Sequence, residues 1–595
     1  MRLFLVVAFP IALFLYGHGL EAPGYLDDGS VLETSTTPRL GGSRLVGFNS
    51  FYLTNQLADS TLASLLPFRV IFYHRLANLL LHVLVAAGVV GLGRELGLRY
   101  RAALLAGMLF LVHPLTTAPV MYVTQRFEVL VTLFMVLAAG AYVRSRRTRQ
   151  WGWMGVAGVM AVLAAYSKET AVALPMWILL IEAVFYRDRW RWDRRLLLLI
   201  PMVMIIALPA WQIFRSSSER TLTQVPLADH LASGGSVLLK YLQLAVFPVD
   251  QYLRYDIQAG EPAIGGLATS WVVIVVLVGV AVWLGARGRI AGFGLLTFFI
   301  LLLPMTLLPL PDLIFEYRAY PGMVGLVLAA GMLLQPRSVR ISRSGLVLSA
   351  GLLLVFGPRT FQQVGAWNDD LAFYEAHRDR FPTDPYTLSD LGIRYHSRGE
   401  VETALETFEQ ARLYEGRFNP YYSEVGRLNI ALNTTTVLLS LRDFDRAGEE
   451  LARARELRPD ERAVLLMEGA YQTARGEPEQ AVEPYRRLTE LYPDDPQGWY
   501  WLTQIHLQLG NEQAAALAAE EFTALDQTPA SPARPAEMSE TTRTAGTFAL
   551  VFVIVALSGF SALWTVSHLR RNWPHLVGRK VEDPAPKSEP PGPTS

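Results

Sequence analysis

The chain has 595 residues, half of them hydrophobic (51%), with 53 basic and 53 acidic side chains and no cysteine. That apolar share, with a mean hydropathy of +0.26, argues against one soluble globular domain. Lack of cysteine removes disulfide frameworks, cysteine-ligated metals and cysteine nucleophiles together, and leaves the redox compartment open.

Residues 3–16 are apolar and follow only Met1 and Arg2. Tyr16-Gly17-His18-Gly19-Leu20 offers no small-x-small cleavage site, so an uncleaved anchor is expected rather than a signal peptide. Next comes Gly24-Tyr25-Leu26-Asp27-Asp28-Gly29, with two adjacent carboxylates at the exit of the first span. A solvated turn and a catalytic acid pair look alike at this level. Further apolar runs fall at about 74–93, 102–121, 127–143, 151–167, 170–186, 196–214, 269–285, 290–311, 319–335 and 343–358, giving eleven expected spans. Residues 232–248 are apolar but short, and read as a re-entrant or interfacial helix.

Arginine placement orients the chain. Arg94, Arg99 and Arg101, then Arg144, Arg146, Arg147 and Arg149, then Arg187, Arg189, Arg191, Arg194 and Arg195, fall on alternate connections with Arg2. Arg287 and Arg289, then Arg337, Arg340 and Arg343, continue the series. The positive-inside rule makes that side cytoplasmic, so 18–73, 215–268 and the region after 358 face outward.

Beyond residue 358 the composition turns charged, aromatic and helical. Leu391, Gly392, Tyr395, Ala404, Phe408 and Ala411 have tetratricopeptide spacing, and Ala447, Ala481 and Ala515 recur every 34 residues. Pro459 and Pro493 are expected to end second helices, and Asn419-Pro420-Tyr421-Tyr422 marks an insertion after the first unit. The expected layout is a membrane domain at 1–358, a connector at 359–384 and about four repeats at 385–526. A proline-rich linker (527–544), a twelfth span (545–567) and a disordered cytoplasmic tail (568–595) follow. The fold class is thus all-α, a polytopic helical bundle joined to an α-solenoid.

Ionisable residues beside spans are costly and therefore informative. Here they gather at one outward level: His74-Arg75, His113-Pro114, Gln125-Arg126-Phe127-Glu128, Ser167-Lys168-Glu169 and Glu316-Tyr317-Arg318. Singly, each reads as a local ion pair or a snorkelling helix end, and His113 as a cap. Together they suit an anionic lipid headgroup, with cations on phosphate and a carboxylate nearby.

These motifs, in this order and followed by repeats, resemble the C-type polytopic glycosyltransferases, specifically the TMTC-type protein O-mannosyltransferases and their bacterial relatives. The resemblance covers roughly residues 1–525 and rests on Asp27-Asp28, Phe110-Leu111-Val112-His113-Pro114, Gln125-Arg126-Phe127, Ser167-Lys168-Glu169 and Phe315-Glu316-Tyr317-Arg318-Ala319-Tyr320-Pro321. Thr116-Thr117-Ala118, the small number of repeats and the twelfth span depart from the family pattern. The resemblance implies transfer of a sugar, such as mannose, from a polyprenyl phosphate to an extracytoplasmic acceptor, for instance protein Ser or Thr. It makes Asp27 or Asp28 the base and Arg318, Lys168, Arg126 and Arg75 the candidate phosphate ligands. Glu169 and Glu316 would orient those cations, with Glu128, His113 and Tyr320 in support. No cofactor is required, although two aspartates could hold a divalent cation. The expected partners are the lipid-linked sugar, membrane lipids and a protein or peptide on the repeats, with no nucleic acid. The expected location is a bacterial inner membrane. The alternatives are a non-catalytic repeat scaffold for envelope or secretion assembly, or a lipid-linked oligosaccharide ligase.

Overall fold

The computed structural model describes residues 2–60, 68–186, 206, 226–287, 290–307, 312–333, 343–420 and 422–526. Nearly all of the expected span at 196–214, and everything after residue 526, lie outside the described residues. Every regular element among the described residues is helical.

The membrane-type half is built around the helix Arg126–Thr148 (α7). Its residues from Arg126 to Ser145 are all buried, as expected of a helix that is apolar all round. Helices Val70–Glu95 (α4) and Gly152–Ala165 (α8) pack along it. At its far end, Arg144 and Arg147 both pair with Glu95, at 2.6 and 2.7 Å. Arg146 pairs with Glu182 of Leu174–Phe185 (α9) at 2.6 Å. These arginines, which the charge rule uses for orientation, also clamp three helices together.

Among the described residues, four helices are long and apolar enough to cross a membrane: Arg2–Gly19, Val70–Glu95, Val123–Thr148 and Leu267–Ala286. A fifth arises if Tyr100–Val112 and Pro114–Met121, bent by 60° at His113-Pro114, count as one span. The helix Leu267–Ala286 leaves Val272, Val275, Val276, Val282 and Trp283 half or more exposed. An apolar face of that size needs lipid or protein against it, which fits a membrane protein. Residues 232–248 lie mostly within a longer helix, Leu227–Val246, which seats the Trp271 ring against Gly235. The expected span at 343–358 lies within a longer helix. Arg343–Gly365 runs on through Pro358.

Three of the motifs fold alike. Pro114–Thr116, Glu169–Ala173 and Glu316–Ala319 are tight 3-10 turns, each feeding a helix, and Val123–Gln125 is a fourth. The turns at 114–116 and 316–319 touch, which gathers these motifs into one polar layer. Such turns are common where a helix begins, and they aim consecutive side chains in different directions.

The C-terminal half is a run of helix pairs: 385–397 with 401–413, 423–440 with 444–457, 462–475 with 478–491, and 496–508 with 512–526. Ala404, Ala447, Ala481 and Ala515 sit buried on the second helix of each pair. Gly392 and Gly469 seat the rings of Phe408 and Tyr485 so closely that a methyl group would overlap them. Pro459 and Pro493 follow second helices that end at Leu457 and Leu491.

One close crossing in the membrane half is between Ile290–Leu307 and Tyr320–Leu333. A Cβ on Gly294 or Gly325 would lie 2.5 or 2.4 Å from the other glycine's carbonyl oxygen. Such approach is what small residues provide between apolar helices. Gly325→Val should therefore lower stability by about 1–3 kcal/mol through overpacking. Thermal unfolding in detergent reads this, with Gly279→Val on a lipid-type face as the silent control.

Candidate active site

The acid pair lies in a loop that turns sharply. Leu26 takes a left-handed conformation (φ 48°), and Asp27 then stands at the N-cap position of the short helix Asp28–Thr34 without a side-chain cap bond. A left-handed leucine is unfavourable, so something must hold it. The Asp28 carboxylate accepts from Tyr25 N at 3.2 Å, from Thr124 N at 2.9 Å and from Thr124 Oγ1 at 3.0 Å. Tyr25 in turn donates from its hydroxyl to Trp367 O at 2.6 Å. Asp28 is wholly buried, and burial pushes its carboxyl up to about 6 against those hydrogen bonds.

Asp27 faces the other way. Its side chain is exposed and accepts from the Tyr122 hydroxyl. The Tyr122 ring meets Tyr317 edge-on at 6.0 Å. Lys168 Nζ lies 5.2 Å from the Tyr317 ring centre, and the Arg318 guanidinium lies 5.9 Å from it. One acid and two cations thus surround one pair of tyrosines.

The cations differ in what they have left to give. Lys168 is bonded to Glu128, which is fully buried. Arg318 donates to Asp312 O at 2.5 Å and, weakly, to Leu313 O at 3.4 Å. Among the described residues no carboxylate lies within ion-pair distance of it, since Asp312 gives its own to Arg254 at 3.1 Å. Arg318 therefore has no ion-pair partner among the described residues while only 8% exposed.

Two of the expected phosphate ligands need correction. Arg75 is fully buried and spends its guanidinium on the carbonyls of Met121, Ala22 and Pro23, latching the acid loop to the first helices. Arg126 donates to Asn78, Ser50 O, Thr54, His74 Nδ1 and His74 O, between 2.7 and 3.1 Å. Because His74 Nδ1 accepts, its Nε2–H donates to Asn55 at 2.7 Å, which fixes a neutral ring. A guanidinium with five such bonds has no donor left for a phosphate.

The supporting acids are also reassigned. Glu169 holds Arg44, not Lys168, through two hydrogen bonds of 2.7 and 3.1 Å. Glu316 does not reach Arg318. It accepts from the Tyr255 hydroxyl at 2.6 Å, Tyr252 N at 2.7 Å and Gln251 at 2.9 Å. His113 is a cap: Nδ1 accepts from Leu115 N at 3.1 Å and Nε2 donates to Ala245 O at 3.0 Å. Tyr320 meets His82 Nδ1 at 2.7 Å. Asp27 and Asp28 have different hydrogen-bond partners. Sequence reasoning missed Arg44, Tyr122 and Thr124, whose partners lie far away along the chain and leave no local pattern.

A tetratricopeptide repeat family model matches residues 436–496 and 466–532. The chain is 28% identical over 218 residues to protein O-mannosyl-transferase Tmtc2 of Drosophila melanogaster, covering 33% of this chain and 22% of that protein. The match thus spans about a fifth of the curated relative's length. Solved structures that overlay in part include MamA from Desulfovibrio magneticus RS-1, at 15% identity, 31% of this chain, 94% of that chain and a TM-score of 0.23. Yeast Tom70 overlays at 12% identity, 79% of this chain, 96% of that chain and a TM-score of 0.19. The chain carries tetratricopeptide repeats, which suggest protein–protein interaction, and it is distantly similar to an O-mannosyltransferase.

Proposed function

We infer that this protein is a membrane glycosyltransferase that moves a sugar, such as mannose, from a polyprenyl phosphate to an acceptor hydroxyl. The observation that carries the reading is the placement of exposed Asp27, and of Arg318 without an ion-pair partner among the described residues, around the same Tyr122–Tyr317 pair. Similarity to a protein O-mannosyl-transferase supports the same class of reaction and favours a protein Ser or Thr as acceptor. The reading retains eleven spans before the repeats, with the acid loop and the repeats on the outer face of a bacterial inner membrane.

In the reaction, Asp27 takes the proton of the acceptor hydroxyl as that oxygen bonds to the anomeric carbon. The bond from that carbon to the lipid phosphate oxygen breaks, and the phosphate leaves with the electron pair. Arg318 stabilises the charge that develops there, in a site shielded from water where a fixed cation counts for most. Lys168 contributes less, because Glu128 already neutralises it. Displacement in one step inverts the sugar. Tyr122 occupies one oxygen of Asp27 and leaves the other for the acceptor. Asp28 is a positioning residue, and no step needs a metal ion.

Two variants separate the acids. Asp27→Asn should lower transfer from polyprenyl-phosphate sugar in proteoliposomes by about 100-fold or more, with folding intact. Transfer at the normal rate in that variant would overturn Asp27 as the base, whereas no transfer by the unaltered chain would leave the repeat scaffold as the better reading. Asp28→Asn should instead act on stability, and with a definite dependence on pH. The folded carboxyl titrates at about 6 against an ordinary 3.8, so the folded state binds more protons between those values. Stability contributed by protonated Asp28 is present below pH 4 and is lost as pH rises through 6. The stability gap between the unaltered chain and Asp28→Asn should therefore narrow from pH 4 to pH 7 in thermal unfolding. A constant gap would place the Asp28 carboxyl in water.

A further inference from the structure

Among the contacts between the repeats and the membrane half, those of the segment 250–258 reach in both directions. Its inward contacts fall on the turn that carries Arg318. The Tyr255 hydroxyl, Tyr252 N and Gln251 all donate to the buried Glu316 carboxylate, two residues before Arg318. Arg254 pairs with the Asp312 carboxylate, while the Asp312 carbonyl accepts from Arg318.

Its outward contacts fall on the repeats and the helix before them. Leu253 N donates to His377 Nε2 at 3.0 Å, and the opposite ring nitrogen of His377 donates to Phe373 O at 2.8 Å. The Arg254 guanidinium lies 3.3 Å from the centre of the Tyr386 ring. Asp256 accepts from Arg417 at 3.0 Å and from Thr383 at 3.1 Å. Gln258 donates to Arg417 O at 3.1 Å.

The repeat spacing points to the same place. Ala404 and Ala447 are 43 positions apart where the later alanines are 34 apart, so nine residues are inserted. The insertion contains the 3-10 turn Glu415–Arg417, and Arg417 is the residue that grips Asp256. A pure repeat would offer no side chain there. A cavity of about 120 Å³ opens beside these contacts, with Arg254, Asp256, Asp312, Arg417 and Asn419 in its wall. Its wall thus joins an inward partner of the segment, Asp312, to an outward one, Arg417.

We propose that residues 250–258 are a strap through which the first repeat pair positions Arg318, making Tyr255, Arg254 and Asp256 positioning residues. The proposal rests on Arg318 as the phosphate ligand, but the coupling can be read without any reaction. Hydrogen exchange of the full chain in detergent follows the Arg318 amide, which donates to Phe315 O at 3.0 Å within the turn. Arg417→Ala, far from that amide in sequence, should speed its exchange by roughly fivefold or more, as expected of coupled rather than independent sites. Amides of 132–143, in the central helix, should not change, and Arg417→Lys should restore part of the protection. Asp256→Asn tests the same contact from the other side and serves if Arg417→Ala fails to fold. Arg486→Ala, which breaks exposed repeat ion pairs away from the strap, should leave the Arg318 amide as it was. Unchanged exchange at Arg318 in both strap variants would overturn the coupling, whatever the activity. Faster exchange in a protein whose unaltered form transfers no sugar would keep the coupling and overturn the enzymatic reading.

Discussion

A buried carboxylate holds the candidate site in shape. Asp28 has no contact with solvent and three hydrogen-bond donors aimed at it. A buried acceptor left without partners would cost roughly 1–3 kcal/mol or more, so these bonds dictate where the loop must lie. Because Thr124 stands just before the central helix, Asp28 ties the loop to the most deeply buried element of the protein. The left-handed Leu26 then rotates the neighbouring acid outward. Asp27 is exposed because Asp28 is not.

The same division runs through the cations. Arg75 and Arg126 are consumed by acceptors that hold the scaffold, and Arg44 and Lys168 are balanced by carboxylates. Burying a charge is expensive, and each of these is compensated locally. Arg318 stands apart, held by carbonyls and the Tyr317 side chain and facing aromatic rings, its charge unpaired with a carboxylate among the described residues. An anion such as a lipid phosphate would answer it. Asp312 and Glu316 matter in this picture because both anchor the turn that carries Arg318.

Much of the architecture was legible in the sequence because it rests on local patterns. Apolar runs and helix-breaking motifs are short-range signals, and the repeats declare themselves through buried alanines at one period. Of the site, the sequence offered Asp27, Asp28, Lys168 and Arg318, since ionisable residues beside apolar spans stand out. It could not rank the two aspartates, which differ through one backbone angle at Leu26. Nor could it sort the arginines. Arg44 meets Glu169 across 125 positions, and Tyr122 meets Asp27 across 95. Pairing by neighbourhood, as in Lys168-Glu169 or Glu316 with Arg318, failed because 3-10 turns send adjacent side chains to different partners.

The central claim is that Asp27 and Arg318 serve one reaction, acid on the acceptor side and cation on the phosphate side. The most direct test is an experimental structure of the full chain in lipid with a polyprenyl-phosphate sugar bound. The account predicts the phosphate within hydrogen-bond reach of the Arg318 guanidinium and the anomeric carbon turned toward Asp27 and Tyr122. A donor seated elsewhere, with its phosphate away from Arg318 and Asp27 still in open solvent, would contradict it.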